Sequence, residues 1–125
     1  MPQIEIPVTP IGKPRMTQRD KWAKRERVVH YRSFCDLLKL YVRGQLPAET
    51  DNLSWIAYFP IPKSWSKKKR AQLAGQLHRQ KPDRDNVDKA IMDALLKEDC
   101  AVARGYTEKR WDDGNGPRII LKWED

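Results

Sequence analysis

The chain has 125 residues, of which 34% are charged and 39% hydrophobic, with five Trp; this suits one folded domain and argues against disorder. Its apolar runs fall far short of the roughly 18 to 20 residues of a membrane span, and Met1 to Pro10 lacks the basic start and apolar stretch of a secretory signal. The 25 Lys and Arg against 17 Asp and Glu leave a net charge of +8, so a polyanion is the expected partner, nucleic acid before any other.

A membrane surface fits less well, because the basic clusters are not interleaved with an apolar helix face. Cys35 and Cys100 stand alone, without Cys or His neighbours. A disulfide framework and a zinc knuckle are therefore not expected, and a reduced, cytoplasmic setting is.

Residues 3 to 8 alternate polar and apolar before Pro7, which predicts a strand at a sheet edge. A basic loop follows, with Lys13, Arg15, Arg19, Lys21, Lys24, Arg25 and Arg27 against Asp20 and Glu26. It reads either as a solvated surface or as a phosphate-binding segment. Tyr31, Phe34, Leu38 and Tyr41 have helical spacing, so an amphipathic helix is predicted from Val29 to Arg43, stopped by Gly44. The aromatic run Leu53 to Pro60 predicts a buried strand with a rigid exit through Pro60 and Pro62. Ser64 or Ser66 then caps a helix with a basic face, Lys67, Lys68, Lys69 and Arg70, running towards His78.

A further helix is predicted from Asn86 to Lys97, followed by strands from Cys100 to Trp111 and from Arg118 to Trp123. The glycine-rich turn 112–117 would join those strands as a hairpin. The expected order is β-α-β-α-α-β-β, an α+β fold with a mixed sheet and two to three helices.

Chemistry concentrates in Lys81-Pro82-Asp83-Arg84-Asp85-Asn86-Val87-Asp88-Lys89. Carboxylates this close repel one another unless a cation or donors hold them, and neighbouring aspartates are what a hard divalent ion uses. With Asp85 as origin on a helical wheel, Lys89 and Asp93 fall at roughly 40° and 80°, opposite Val87, Ala90, Ile91, Ala94 and Leu95. A third acidic position follows in Glu98-Asp99. Such a trio could converge on one or two ions for phosphodiester hydrolysis, with Lys89 countering phosphate charge. The competing reading is structural, with Asp85 capping the helix and Asp88 favouring its positive end. A calcium loop fails, because Val87 stands where its third ligand should be.

The run from Lys81 to Leu95, followed by Glu98-Asp99 and by Val102 to Trp111 with Glu108-Lys109-Arg110, resembles the RusA-type Holliday-junction resolvases, small endonucleases common in phages and prophages. The similarity is close over residues 81 to 111. Elsewhere it is looser, resting on length, the Gly12-Lys13-Pro14-Arg15 loop and the terminal strand. It implies paired catalytic and metal-binding aspartates at Asp83 and Asp85, a catalytic lysine at Lys89, and a later catalytic and metal-binding aspartate at Asp99. Asn86 matches the motif's Asn. The connection to Asp99 is shorter than in many members, which leaves Glu98 as an alternative.

The resemblance further implies Mg²⁺-dependent cleavage of four-way and other branched DNA by a homodimer, with Mn²⁺ as a substitute ion, in a bacterial or phage-infected cytoplasm. The DNA contacts would come from Lys13, Arg15, Arg19, Lys21, Lys24, Arg25, Lys67, Lys68, Lys69, Arg70, Lys81 and Arg84. A non-catalytic DNA- or RNA-binding module, or a nuclease for flaps and forks, would share this basic surface. His30 and His78 have no partner in the sequence pattern and read as surface or structural residues. The Trp residues read mainly as core, although Trp22 and Trp65 lie in basic segments where they could stack on bases.

Overall fold

In a computed structural model, the chain is described over residues 2–14, 26–47, 50–96 and 102–124. The elements are β1 (Gln3–Ile6), α1 (Glu26–Val42), β2 (Leu53–Phe59), α2 (Lys67–Leu73), α3 (Arg84–Leu95), β3 (Thr107–Trp111) and β4 (Arg118–Trp123). Among the described residues this is a mixed α+β arrangement of three helices and one four-stranded sheet, in the expected order. No described helix is long and apolar enough to cross a membrane.

The sheet order is β1-β4-β2-β3. β4 pairs antiparallel with both β1 and β2, and β3 runs parallel to β2. β1 lies at an edge, as Pro7 requires, and stops at Ile6 because Pro7 has no N–H for the ladder. The interior strand β2 buries Leu53, Trp55, Ala57 and Phe59 on one face, the period-two signature of a strand covered by a layer above it.

That layer is made by α1 and α3. α1 buries Val28, Tyr31, Phe34, Leu38 and Val42, three to four residues apart, and α3 buries Val87, Ala90, Ile91, Met92 and Ala94. The small Ala90 and Ala94 permit close approach, while Leu38, Trp55, Ile91 and Leu121 are at most 1% exposed. Burial of each such side chain contributes about 1.5 to 3 kcal/mol. Leu38→Ala would cost about 2 to 5 kcal/mol, because the cavity cannot fully collapse.

Two helix boundaries shift: α1 begins at Glu26, so Glu26 and Arg27 are helical and not part of the basic loop, and α3 runs from Arg84 to Leu95 in place of 86–97. Three further expectations change. First, segment 112–117 is not a hairpin: β3 and β4 do not pair, since β2 lies between them. Gly114 and Gly116 do take positive φ, and the Asp112 carboxylate accepts from both their N–H groups at 3.1 and 2.9 Å. The turn therefore forms as composition suggests, but it carries the chain past the end of β2. Second, α2 ends at Leu73, because Gly75 adopts φ 73° and the next residues are drawn along β3. There His78 N donates to Lys109 O at 2.9 Å and Trp111 N to Gln76 O at 2.8 Å. Third, β3 begins at Thr107, because residues 102–106 make only isolated bonds to the start of β2, such as Trp55 N to Tyr106 O at 2.9 Å.

Candidate active site

The Asp83 end of α3 is built from two segments distant in sequence. The loop after β1 docks on it: Lys13 N donates to Asn86 O at 3.0 Å. At Gly12 a β-carbon would come within 2.7 Å of Pro82 Cβ and 3.3 Å of Asn86 Cβ. Any side chain there would push this loop off the turn.

Asp83, not Asp85, occupies the N-cap position of α3, with φ −64° and ψ 147°. Its carbonyl accepts from Asn86 N and Val87 N, both at 3.1 Å, yet its side chain makes no capping bond. The carboxylate is thus not used in closing the helix. Asp85 lies in the first turn, where the positive end of the helix favours an anion. The reading of Asp85 as a cap is corrected accordingly. Asp85 and Lys89 are exposed and carry no side-chain hydrogen bond or ion pair among the described residues.

The remaining acids of α3 are engaged elsewhere. Asp88 accepts from the indole Nε1 of Trp55 at 2.8 Å, which satisfies the buried indole and ties the helix to β2. Asp93, exposed on the same stripe as Asp85 and Lys89, pairs with Lys13 at 2.5 Å and accepts from the Tyr31 hydroxyl at 3.0 Å. Burial, followed by the charge of Cys35 and the bond to Asp93, pushes the Tyr31 hydroxyl pKa well up, so it remains a donor. Asp93 joins the first loop, α1 and α3. Part of Lys13's charge is therefore spent inside the protein.

One residue of this region was missed by the sequence reading. Lys109 donates from Nζ to the carbonyls of Gln80 and Pro82, both at 2.6 Å, and so straps the turn before Asp83 to β3. Burial pulls its pKa down, opposed by the nearby Asp83 carboxylate. The available signal was parity: Lys109 lies on the same strand face as the buried Trp111 and is paired in register with the buried Ala57. A lysine at a core-facing strand position needs carbonyl or carboxylate partners.

His78 is only 6% exposed. Its ring stacks on Phe59 and tilts against Trp111, each with centroids 4.3 Å apart. Burial and then the Lys109 charge hold its pKa down at about 4, which keeps the imidazole neutral at physiological pH. Of the surface and structural roles expected for it, burial excludes the first.

The basic candidates divide. Lys67, Lys68, Lys69 and Arg70 are exposed on α2, whose first turn is capped by Ser66 Oγ accepting from Lys69 N at 3.2 Å. Lys69 Nζ lies 4.0 Å from the centre of the Trp65 ring, and Trp65 meets Trp111 edge-on. Lys81 and Arg84, both exposed, flank Asp83. Arg15, Arg19, Lys21, Trp22, Lys24 and Arg25 lie outside the described residues, as do Glu98 and Asp99. Among the described residues no three His, Cys, Asp or Glu form a group that could hold a metal ion. Among the described acids of α3 and its N-cap, Asp83 and Asp85 make no side-chain bond, and their hard anionic oxygens suit Mg²⁺.

Nearly the whole chain, residues 5–123, matches the family model Endodeoxyribonuclease RusA. The chain belongs to the RusA family. No curated protein and no solved structure matches it. RusA membership supports a nuclease or resolvase function in general. Within that frame, an exposed pair of uncommitted carboxylates beside basic surface is an arrangement able to approach a phosphodiester.

Proposed function

We propose that residues 1–125 form one RusA endonuclease domain that cleaves four-way DNA junctions with Mg²⁺, making paired symmetric nicks during recombination and repair. The observation that carries this reading is the state of Asp83: it holds the N-cap position of α3 without a capping bond. A carboxylate at the N-cap that makes no capping bond is available to another partner.

In this reading Asp83 and Asp85 hold the ion, with Asp99 or its neighbour Glu98 completing the set. Held there, a divalent ion would supply Lewis-acid activation of the phosphate and of water. Lys89, on the exposed stripe with Asp85, balances charge on the phosphate or leaving oxygen. Lys81 and Arg84 orient the strand beside Asp83, while α2 and the basic residues of segment 13–25 hold the duplex arms through largely sequence-independent contacts. A homodimer fits the substrate, because a four-way junction has approximate twofold symmetry and resolution needs two matched nicks.

The test is cleavage of a synthetic mobile junction beside a linear duplex of the same sequence, with Mg²⁺ or EDTA, by wild type and Asp85→Asn. Paired nicks confined to the junction, the wild type and Mg²⁺ would support the reading. Tight junction binding without nicks under every metal condition would overturn it in favour of a non-catalytic binding module.

A further inference from the structure

A cavity of about 410 Å³ opens beside the turn that carries Asp83, between the loop after β1 and the Gln80–Pro82 strap. Its volume lies within the roughly 300 to 1,000 Å³ typical of small-molecule sites. Most of the lining is carbon, from Pro10, Ile11, Pro60, Pro62 and Pro82 among others, and no carboxylate contributes. Uncharged polar side-chain atoms come from Thr9, Gln80, His78 and the Trp111 indole, and the charged side chain is Lys81. A phosphate would find this lining poor in donors. A flat, uncharged ring with hydrogen-bonding edges, attached to an anionic backbone, fits both the carbon walls and the lysine.

Position strengthens the match. Pro82 lines the cavity and directly precedes Asp83, and Gly12, also in the lining, lies against Pro82 and Asn86. A strand held by the exposed Lys81 and Arg84, with a phosphate beside Asp83 and Asp85, would bring a neighbouring nucleotide over the opening. The walls are already set: proline rings have few conformations to lose, Lys109 fixes the strap, and Phe59 and Trp111 clamp the His78 ring. Enzymes that take a base out of the stack hold it between apolar or aromatic groups and read its edge through hydrogen bonds.

We propose that this cavity is a nucleobase pocket, receiving one base unstacked from the strand that passes Asp83 and Asp85 and reading it through Gln80, Thr9 and His78. The proposal rests on the endonuclease reading above for its substrate. It makes base preference next to the cut a property of this cavity, separate from the recognition of branching by the basic surface.

The experiment places 2-aminopurine in turn at each position near the crossover of a four-way junction and follows its emission on binding without divalent ion. The variants are Thr9→Phe, to fill the cavity, and Gln80→Ala, to remove a reading edge; both residues are exposed, so the fold is retained. Wild type should raise emission several-fold at one position and leave the others flat, and Thr9→Phe at equal DNA occupancy should abolish that rise. With Mg²⁺, Gln80→Ala should narrow the spread of nicking rates among the four bases at that position. Flat emission everywhere in wild type, or a rise that survives Thr9→Phe, overturns the pocket. A localised rise without Mg²⁺-dependent nicking sustains the pocket and sinks the endonuclease reading; nicking with flat emission does the reverse.

Discussion

Lys109 Nζ donates to the carbonyl of Pro82 at 2.6 Å, so strand β3 grips the residue immediately before Asp83. Its second bond, to Gln80 O at 2.6 Å, fixes the other end of the same turn. We therefore expect Lys109→Met to fold, because a methionine fills similar space, but to loosen the turn. On the role proposed for Asp83, groups that orient a metal ligand are worth about 10- to 100-fold in metal affinity or activity. Nicking and Mg²⁺ affinity should fall by about that factor while junction binding changes little, and Lys109→Arg should restore part of the loss. Equal Mg²⁺ titration curves for wild type and Lys109→Met would remove Lys109 from this role.

Among the described residues, Asp83 and Asp85 make no bond that holds the helix end through their side chains. Asp83→Asn or Asp85→Asn should leave stability within about 0.5 kcal/mol of wild type. Turnover should fall by roughly two or more orders of magnitude, as when a metal-activated nucleophile is lost. Junction affinity should hold or rise, because a negative charge near phosphate has gone. Urea denaturation and gel-shift titration, run beside the nicking assay, separate this from a structural role, in which losing a cap costs about 0.5 to 2 kcal/mol.

The basic face of α2 has no buried residues. Replacing Lys67, Lys68 and Arg70 together by Ala should therefore weaken junction binding without unfolding the protein. For every phosphate that loses its cationic partner, the slope of log affinity against log salt should flatten by about 0.9. An unchanged slope would place the duplex arms on another surface.

Acid should destabilise the fold in two separate windows. The folded His78 pKa is about 4 against an ordinary 6.5, so the unfolded chain takes up this proton first. Stability from the neutral ring is complete above pH 6.5 and is lost as pH falls towards 4, roughly 3 kcal/mol in all. Asp113 behaves as a depressed carboxylate: hydrogen bonds from Arg118 hold it at about 2 against 3.8. Its contribution is present above 3.8 and fades only as pH falls towards 2. Urea midpoints measured through the upper window should drop in wild type and stay level in His78→Phe. Parallel curves for the two proteins would contradict the assignment.

Much of this arrangement is written locally. The alternation in residues 3 to 6 and 53 to 59, the apolar stripe of α3 and the basic run of α2 each state which side of an element is buried. The paired aspartates announce themselves because adjacent like charges have a cost that ordinary surface does not bear.

What these patterns do not encode is which element lies next to which. The turn 112–117 has hairpin chemistry, yet β2 lies between the strands it connects. Asp93 looks like part of the reactive stripe until Lys13 and Tyr31 arrive to occupy it, and Lys109 reads as one more strand cation until its ammonium meets two carbonyls. The physical reason is one of range. Side-chain periodicity follows from backbone geometry over a few residues, so the sequence alone determined faces and the presence of a carboxylate pair. Strand order, the strapped turn and the cavity depend on backbone groups and side chains tens of residues apart, and only closure of the whole sheet and helix layer brought them together.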